Sequence, residues 1–398
     1  MTQWPIVRMT DVCNEITVGH VGKMSDQYIA SGVPFLRSQD IHPGRIDFST
    51  VKFIPSSFHQ QLRKSKLTTG DVVMVRTGYP GTAAVVPPTL PDANCADLVI
   101  ARPGPKLDPH FLAYTMNSPL GRGFVRGSLV GVAQQHFNVK VAAGMKFPLP
   151  PLPIQRRIVS ILGAYDDLIE VNRRRIAVLE EMARRLFDEW FVHFRFPGHE
   201  SVQWITTPLG DIPRGWEVRS VEEIVQRIPV GKKYDQKAVN PIGAVPVLDQ
   251  GKTGVIGYHY DAPGVDASEQ RPVVAFANHT CYQRLIHYSF SAIQNVLPFV
   301  PNPKLSRDIY WLHWATNGLV AINDYKGHWP EFAAKKLAIP TANLCQQFGD
   351  HIKPLAIQTL KFERANENLR KTRDLLLPRL ISGDLSVAAD EVELESAG

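Results

Sequence analysis

Short apolar runs bounded by turn-forming residues fill two stretches of this 398-residue chain, residues 1–150 and 197–335. Residues 72–75 and 98–101 are examples, and runs of this length between Gly, Pro, Asp or Asn predict short buried β-strands. A long segment follows each stretch, and its apolar residues recur at steps of three and four, which predicts an amphipathic helix. The pattern therefore predicts an α+β protein in which two long helices separate two similar mixed α/β domains.

The first long helix is predicted over residues 155–190, directly after the proline-rich segment 147–153 (FPLPPLP). These prolines hold an extended path, and the last of them, Pro153, suits the first turn of a helix. At 1.5 Å per residue the helix spans about 54 Å. Its apolar positions form a heptad seam with one polar member, Asn172. The seam consists of Leu162, Tyr165, Ile169, Asn172, Ile176, Leu179, Ala183, Leu186 and Trp190.

A second long helix is predicted after residues 337–340 (LAIP), at an offset of 190 residues from the first. We expect its regular part to begin at Pro354, or the helix to bend there, because proline cannot donate a backbone hydrogen bond. Asn366 and Arg373 are the polar exceptions in its seam. The seam consists of Ile352, Leu355, Thr359, Phe362, Asn366, Leu369, Arg373, Leu376 and Leu380.

Two helices with apolar seams need a surface that covers them, and the nearest such surface is the other helix. We favour antiparallel packing as a coiled coil, because parallel packing would require the middle block to loop back. Two alternatives remain open: each helix could belong to the core of its own domain, or the seams could bind another chain. A buried Asn172 costs stability and fixes register, which favours a specified coiled coil.

The chain also repeats one plan in the same order. Residues 4–8 (WPIVR) are matched by 216–219 (WEVR), and residues 33–39 (VPFLRSQ) by 245–250 (VPVLDQ), both at an offset of 212. Two copies of one plan give a pseudo-two-fold molecule, which can read two related DNA half-sites at a fixed separation. We predict domains at 1–150 and 197–335, central helices at 151–196 and 336–385, and an acidic tail at 386–398.

The net charge of the chain is +6, and the first 150 residues carry all of this excess, with 15 Lys and Arg against 9 Asp and Glu. A basic domain suggests a polyanionic partner such as nucleic acid. No apolar run is long enough to span a membrane, and the N-terminus does not have the pattern of a signal peptide. The four cysteines stand far apart without a CxxC pair, so we expect neither a zinc site nor disulfides, and a cytoplasmic setting.

Motifs for catalysis are weak. The sequence has no GxGxxG or GxxxxGK[ST] loop to cradle a phosphate. Residues 240–243 (NPIG) only faintly match a methyltransferase loop, because the second proline and the aromatic residue are missing. His279, His287, His313 and His328 lie near Cys281 in the sequence, but scattered histidines are more often satisfied or exposed than metal-bound.

Five segments resemble the specificity (S) subunits of type I restriction–modification enzymes. They are residues 33–41 (VPFLRSQDI), 70–81 (GDVVMVRTGYPG), 147–158 (FPLPPLPIQRRI), 186–191 (LFDEWF) and 375–385 (LLLPRLISGDL). The proline-rich start of the first helix and the LPRLISG close are the specific motifs. With the repeat, the resemblance covers nearly the whole chain. The sequence departs from the family at Ile154, where Glu is usual, and at residues 340–347, which lack the proline run.

The resemblance implies a non-catalytic subunit with two target-recognition domains that read a bipartite DNA sequence with a nonspecific spacer. It also implies docking of two methyltransferase (M) subunits and then of restriction/motor (R) subunits. S-adenosylmethionine, ATP and Mg²⁺ would belong to those partners, and no cofactor or metal is expected in this chain. The length of the helices would set the spacer, since a DNA turn is roughly 34 Å.

Base readout needs polar side chains that reach groove edges, supported by phosphate contacts. Such residues follow the predicted strands or lie in irregular segments, among which we place the Gly-rich stretch 121–137. In the first domain the candidates are Lys23, Arg37, Gln39, Lys64, Arg76, Arg126, Ser128, Gln134, Gln135 and His136. In the second domain they are Lys232, Lys233, Tyr234, Gln250, Lys252, His279, Tyr282, Gln283, Arg284, Tyr325, Lys326 and His328.

Two other classes of function stay open at this stage. One is a self-contained DNA-modifying enzyme with an unrecognised site, which would turn over in isolation with Mg²⁺ or a methyl donor. The other is a coiled-coil protein-interaction scaffold, whose complexes would not depend on salt. A DNA reader should instead lose affinity steeply as salt rises.

Overall fold

A computed structural model gives the structure of the chain and describes residues 4–129, 136–251, 254–322 and 327–387. Within these ranges the helices are α1 (Met9–Val12), α2 (Ser56–Gln61), α3 (Pro109–Asn117), α4 (Pro119–Leu129), α5 (Val139–Gly144), α6 (Leu152–Phe187), α7 (Val221–Ile224), α8 (Ile309–Thr316), α9 (Trp329–Ala334) and α10 (Ala342–Ser382). A π-helical turn, Asp188–Val192, continues α6.

The strands of the first half of the chain are β1 (Ile6–Arg8), β2 (Cys13–Val18), β3 (Val33–Leu36), β4 (Ile41–His42), β5 (Arg45–Ile46), β6 (Lys52–Ile54), β7 (Lys66–Leu67), β8 (Val72–Val75), β9 (Ala83–Val85), β10 (Ala93–Cys95), β11 (Leu98–Pro103) and β12 (Lys146–Pro148). Those of the second half are β13 (Trp204–Thr207), β14 (Gly210–Pro213), β15 (Glu217–Ser220), β16 (Val225–Arg227), β17 (Val245–Leu248), β18 (Val255–His259), β19 (Val273–Ala277), β20 (Gln283–Ile286), β21 (Ser291–Ala292), β22 (Val296–Pro301) and β23 (Lys336–Ile339).

The chain divides into two compact units. Unit 1 comprises Met1–Glu170 and Asn366–Gly398, and unit 2 comprises Val171–Ala365. Each long helix, α6 and α10, contributes residues to both units. The domain bounds drawn from the sequence, which give each long helix a segment of its own, remain a prediction, and most of the predicted acidic tail lies outside the described residues.

Unit 1 contains two four-stranded sheets. One has the order β2-β11-β8-β9 and is antiparallel throughout, while the other has the order β6-β3-β10-β7 with β10 parallel to β3. The run Val72–Val75 is wholly buried because both faces of its sheet are covered. Val72 and Met74 join one apolar cluster, and Val73 and Val75 join another. A strand that is buried on both faces reads as an unbroken apolar run, which explains the pattern in the sequence.

Unit 2 repeats this arrangement with its own strands. Its antiparallel sheet has the order β16-β22-β19-β20, and its second sheet has the order β18-β17-β21 with β21 parallel to β17. The central strand β19 is again buried along its length, with Val274 and Phe276 in one cluster and Val273 and Ala275 in another.

Equivalent positions in the two units confirm the internal repeat. β3 and β17 contain the matched VPFL and VPVL segments, and each pairs in parallel with the strand that directly precedes β11 or β22, respectively. Asp97 and Asn295 precede β11 and β22 with φ of 51° and 70°, the left-handed conformation that Asp and Asn tolerate. Asp108 and Asp308 cap α3 and α8 in the same way, each accepting two backbone N–H groups. The predicted fold class is therefore confirmed.

In unit 2 the two long helices run antiparallel. The guanidinium of Arg175 lies 5.4 Å from the centre of the Phe362 ring, and the rings of Phe187 and Phe348 are 5.9 Å apart. Because residue numbers rise along one helix as they fall along the other, the pairing is antiparallel, as predicted.

In unit 1 the same two helices contact each other through a polar pair, of which one member, Arg373, is a seam residue. Arg373 of α10 forms an ion pair with Asp166 of α6, and the Tyr114 hydroxyl of α3 donates to the other Asp166 oxygen at 2.6 Å. Arg373 is a polar exception in the predicted seam, and the structure shows that Asp166 of the other helix is its partner.

None of the seam residues is exposed. Leu162, Ile169, Trp190, Ile352 and Leu380 are buried, and Asn172 and Asn366 are 8% and 2% exposed. The ends of the seams enter the cores of the units, since Leu162 and Leu380 belong to the apolar cluster of unit 1 and Trp190 and Ile352 to that of unit 2. One apolar pattern thus serves both helix pairing and domain cores. The half-buried seam residues are Tyr165, Ile176, Leu179, Leu186, Leu355, Thr359, Phe362, Leu369, Arg373 and Leu376.

One local prediction is wrong, and one of the two alternatives of a second is wrong. Residues 119–129 form the helix α4 and not an irregular loop, because Val125 is buried in the core and Gly121 packs so closely on the carbonyl of Met116 that a Cβ would lie 2.3 Å from its oxygen. The second long helix begins at Ala342, so its regular part does not start at Pro354, whereas a bend at Pro354 stays a prediction. The buried residues Leu344 and Phe348 of this first part outweigh the hydrogen bond that Pro354 lacks. No described helix is long and apolar enough to cross a membrane.

Candidate nucleic-acid interface

In unit 1, three segments meet at one end of the β2-β11-β8-β9 sheet. Arg76 follows β8, Asp97 precedes β11, and Phe137 lies shortly before α5. Arg76 Nη1 lies 2.5 Å from Asp97 Oδ1, and Arg76 Nε donates to the Phe137 carbonyl at 3.3 Å. The Phe137 N–H donates back to the Arg76 carbonyl at 3.2 Å. Arg76, a predicted DNA contact, therefore joins the three segments, and its side chain is 18% exposed.

The same end of the sheet in unit 2 is organised by Asn278, which follows β19. Its N–H donates to the Asn295 carbonyl at 2.9 Å, and its own carbonyl accepts from the His328 N–H at 2.8 Å. Asn278 Oδ1 accepts from the Trp329 N–H at 2.8 Å, and the neighbouring His279 N–H donates to Gln250 Oε1 at 2.9 Å. Segments that are far apart in the sequence thus meet at this end of the sheet. Each unit has polar loop residues at the corresponding end of its own sheet.

Five of the eight candidate residues of unit 1 that the structure describes are exposed. Lys23, Gln39, Lys64, Arg126 and His136 are exposed, although Lys23 forms a surface ion pair with Asp26 at 3.3 Å. Such a pair contributes little and would not prevent a phosphate contact.

Two other candidates in unit 1 have local partners. Arg37 is held by the fully buried Asp40, which accepts from Arg37 N at 2.8 Å and from Arg37 Nε at 3.1 Å. The Ser128 hydroxyl donates to the Val125 carbonyl at 2.8 Å, within α4. Gln134 and Gln135 lie outside the described residues.

The predicted set 232–234 of unit 2 is turned partly inward. Tyr234 is 5% exposed and its ring stacks on His259 at 4.2 Å, so Tyr234 is not available to DNA as predicted. Lys232 is exposed but its Nζ lies 3.0 Å from Asp261 Oδ2, and the Tyr234 hydroxyl donates to the same oxygen at 3.0 Å. Lys233 is exposed.

Gln283 and His328 were also predicted to contact bases, and their burial contradicts this. Gln283 is 6% exposed; its Nε2 donates to the His313 carbonyl at 2.8 Å and its Oε1 accepts from the Thr316 hydroxyl at 3.1 Å. His328, the N-cap residue of α9, is fully buried. A glutamine in a strand and a histidine before a helix look the same in the sequence whether they face the core or the solvent.

The remaining candidates of unit 2 are half-buried around one loop. Arg284 Nη2 donates to the Asp249 carbonyl at 2.8 Å, and burial lowers the pKa of Arg284. Its guanidinium fills the space beside Gly254, where a Cβ would lie 1.4 Å from Nη1. Tyr282 is half-buried, and burial raises its pKa. Lys252, Tyr325 and Lys326 lie outside the described residues.

The structure adds residues that the sequence analysis missed. Tyr79, at the tip of the turn between β8 and β9, is 84% exposed, and Asp97 and Asn278 organise the two sheet ends. The glycines around Tyr79 signal a turn in the sequence, but not which side chain the turn presents. Among the described residues, no group of three or more His, Cys, Asp or Glu side chains could hold a metal ion.

The architecture defines a class of protein that has two α/β units of one plan and two long antiparallel helices. Each unit has a cluster of polar loops at one end of its sheet. The fold is similar to a crystal structure of the S subunit of a type I restriction–modification system from M. genitalium, with a TM-score of 0.53, 13% identity and 96% of each chain covered. At this identity the similarity shows the fold alone.

Sequence comparison then finds the family that the chain resembles. Residues 105–181 match the model of the type I restriction modification DNA specificity domain. The chain is 26% identical over 264 residues to the putative type I restriction enzyme MjaX specificity subunit of Methanocaldococcus jannaschii, which covers 63% of this chain and 59% of that relative. It is 29% identical over 148 residues to the EcoBI specificity subunit of Escherichia coli, covering 36% of this chain and 31% of that one. The resemblance to type I specificity subunits is thereby confirmed, on a region that spans less than two thirds of these relatives.

Proposed function

We propose that this chain is the DNA-specificity subunit of a type I restriction–modification complex and has no catalytic activity of its own. The observation that carries the proposal is the repeated sheet end. Each unit collects polar loop residues at the same edge of the same sheet, around Arg76 and Asp97 in unit 1 and around Asn278 and Asn295 in unit 2. Two equivalent polar edges in one chain suit two half-sites of a bipartite target.

The partners follow from this role. We propose double-stranded DNA as the ligand, two methyltransferase subunits bound to this chain, and restriction/motor subunits added to that core. S-adenosylmethionine, ATP and Mg²⁺ would be bound by those subunits. The chain would work in the cytoplasm, where the DNA is.

The proposal is tested by reconstitution. The chain is purified with the methyltransferase subunit of its own system, and a random-sequence plasmid library is methylated and read by sequencing for N6-methyladenine. We expect methylation only with both proteins present, and only at an asymmetric sequence in two parts. Methylation by this chain alone would favour a self-contained enzyme. Sequence-independent methylation by the pair would contradict the specificity role.

A salt titration separates the proposal from a protein-interaction scaffold. A reader that neutralises several phosphates loses affinity as a steep power of the salt concentration, since each contact contributes about 0.9 to the slope of log K against log salt. A scaffold would show no duplex affinity at low salt, with the partner subunit bound or absent.

A further inference from the structure

The helix α4 carries an exposed cationic face, and no described acidic side chain of the chain pairs with it. Arg122 and Arg126 are both exposed and lie on the same side of the helix, one turn apart. The helix sequence, PLGRGFVRGSL, contains no Asp or Glu. Two like charges at this spacing repel each other, so the face is unfavourable in isolation and favours an anion as its partner.

The two arginines differ from their neighbours in unit 1. Arg76 pairs with Asp97, Arg102 with Glu15, and Arg8 with Asp11. Within the described residues, neither Arg122 nor Arg126 forms an ion pair or a side-chain hydrogen bond. Their guanidinium groups thus keep all their donors for another molecule, and guanidinium suits phosphate because it can donate two parallel bonds.

Two glycines share this face. Gly123 and Gly127 are exposed, and a Cβ built on either would find nothing within 4 Å. Glycine inside a helix is unfavourable relative to alanine, and no close packing contact requires glycine at these two positions. Without side chains at these positions, another surface can approach the helix backbone beside the two arginines.

The cationic face adjoins the exposed turn of Tyr79. Val125, on the buried side of α4, touches this turn so closely that a Cβ on Gly81 would lie 2.7 Å from Val125 Cγ2. The turn is held by the Gly81 N–H to the Val75 carbonyl at 2.9 Å and the Thr82 N–H to the Tyr79 carbonyl at 3.2 Å. It presents the Tyr79 ring, 84% exposed, on a stiff support.

We propose that Arg122, Arg126 and Tyr79 form one DNA-binding surface of unit 1, in which the arginines contact phosphates of one strand and Tyr79 contacts a base or sugar beside them. The inference rests on the proposed function and names the surface that performs it. Charge complementarity identifies the occupant as a polyanion. The net positive charge of the first 150 residues extends this complementarity beyond the helix.

Unit 2 has no matching helix in the part of the chain that the structure describes. There, α8 ends at Thr316 and α9 begins at Trp329, whereas α3 and α5 of unit 1 are separated by α4. Within those residues, the cationic face of α4 is a feature of unit 1 alone.

The test uses the full chain in complex with its methyltransferase subunit and a labelled duplex of arbitrary sequence. For the double variant Arg122→Ala with Arg126→Ala, the loss of two phosphate contacts lowers the slope of log K against log salt by about 1.8. At physiological salt this is an affinity loss on the order of 30-fold. The matched control, Lys304→Ala with Lys361→Ala, removes the same charge from exposed sites of unit 2 and leaves the slope unchanged.

A second pair of variants separates binding from folding. Gly123→Ala with Gly127→Ala strengthens the helix, so the thermal midpoint rises while duplex affinity falls several-fold. Gly163→Ala, at another open helical position in α6, raises the midpoint and leaves affinity unchanged. Tyr79→Ala weakens binding without changing the salt slope.

The outcomes distinguish the inference from the proposed function. If the wild-type complex binds DNA in a salt-dependent way and the arginine variant keeps its slope and affinity, the surface is wrongly assigned and the proposed function stands. If the wild-type complex has no duplex affinity, the proposed function fails and the inference fails with it.

Discussion

Asp166 joins three helices of unit 1, and its removal gives the sharpest test of how the long helices are attached to that unit. Its Oδ2 accepts a hydrogen bond of 2.6 Å from the Tyr114 hydroxyl of α3, and its Oδ1 pairs with Arg373 of α10. The side chains of Asp166 and Arg373 are 34% and 20% exposed, so water screens the pair only in part. Asp166→Asn keeps the shape of the side chain and removes the charge.

The magnitude follows from these contacts. A hydrogen bond to a charged group contributes about 1.5–3 kcal/mol, and a half-buried ion pair lies between the surface value of about 1 kcal/mol and the buried value of about 3–5 kcal/mol. We expect Asp166→Asn to lower the free energy of unfolding by about 3 kcal/mol and Tyr114→Phe by about 1.5 kcal/mol. The double variant should cost less than the sum, because the two changes remove one shared bond. Asp167→Asn, at the exposed neighbour, should have no measurable effect.

The assay is urea unfolding followed by far-ultraviolet circular dichroism, with hydrogen exchange of peptides from α3. Tryptophan fluorescence would report mainly on unit 2, since Trp4 is the only one of the seven tryptophans in unit 1. If Asp166→Asn and Tyr114→Phe each cost less than about 0.5 kcal/mol and are additive, the network does not stabilise unit 1 and the reasoning is refuted.

Three further outcomes are expected. Leu179→Asp should lower the free energy of unfolding by about 2–3 kcal/mol, because it places a charge in the half-buried seam. Val178→Asp, at a 58% exposed position, should lower it much less. Urea unfolding of the two variants measures the difference. Burial lowers the pKa of His313 from 6.5 to about 4. The unfolded chain therefore binds this proton first, and stability should fall by up to about 3 kcal/mol as the pH drops from about 6.5 to about 4, a loss that His313→Gln removes from the pH profile of unfolding. Gly81→Ala should cost more than Gly78→Ala in thermal melts, since both have positive φ but only Gly81 also has a neighbour within 3 Å of the added Cβ.

The strands, the repeat and the long helices are predictable from the sequence, because each depends on buried positions, and buried positions carry apolar residues. β8 and β19 are covered on both faces, so their apolar runs are unbroken. The repeat survives as matched strands and matched Asp caps at residues 108 and 308, where the backbone requires a short acceptor. The heptad seams are visible because helix pairing and the domain cores bury the same side of each helix.

The polar site is predicted less well, because residue type does not reveal which way a side chain points. Gln283 and His328 face the core, while Tyr79, in a turn of ordinary appearance, is exposed. α4 escapes prediction because its helicity depends on Val125 packing against a turn that is distant in sequence, and its glycines disfavour a helix locally. The partners of Asp166 are likewise not predictable, because Tyr114 and Arg373 come close to it only in the tertiary structure.

The central claim is that two equivalent units of one chain each read one half of a split DNA sequence. The most direct measurement is the methylation motif of the reconstituted complex with one unit altered at a time, using Gln134→Ala with Gln135→Ala for unit 1 and Gln250→Ala for unit 2. The account predicts that each variant keeps the complex assembled and relaxes a different half of the motif. If either variant changes both halves, or if the motif is a single continuous sequence, the two-reader account is contradicted.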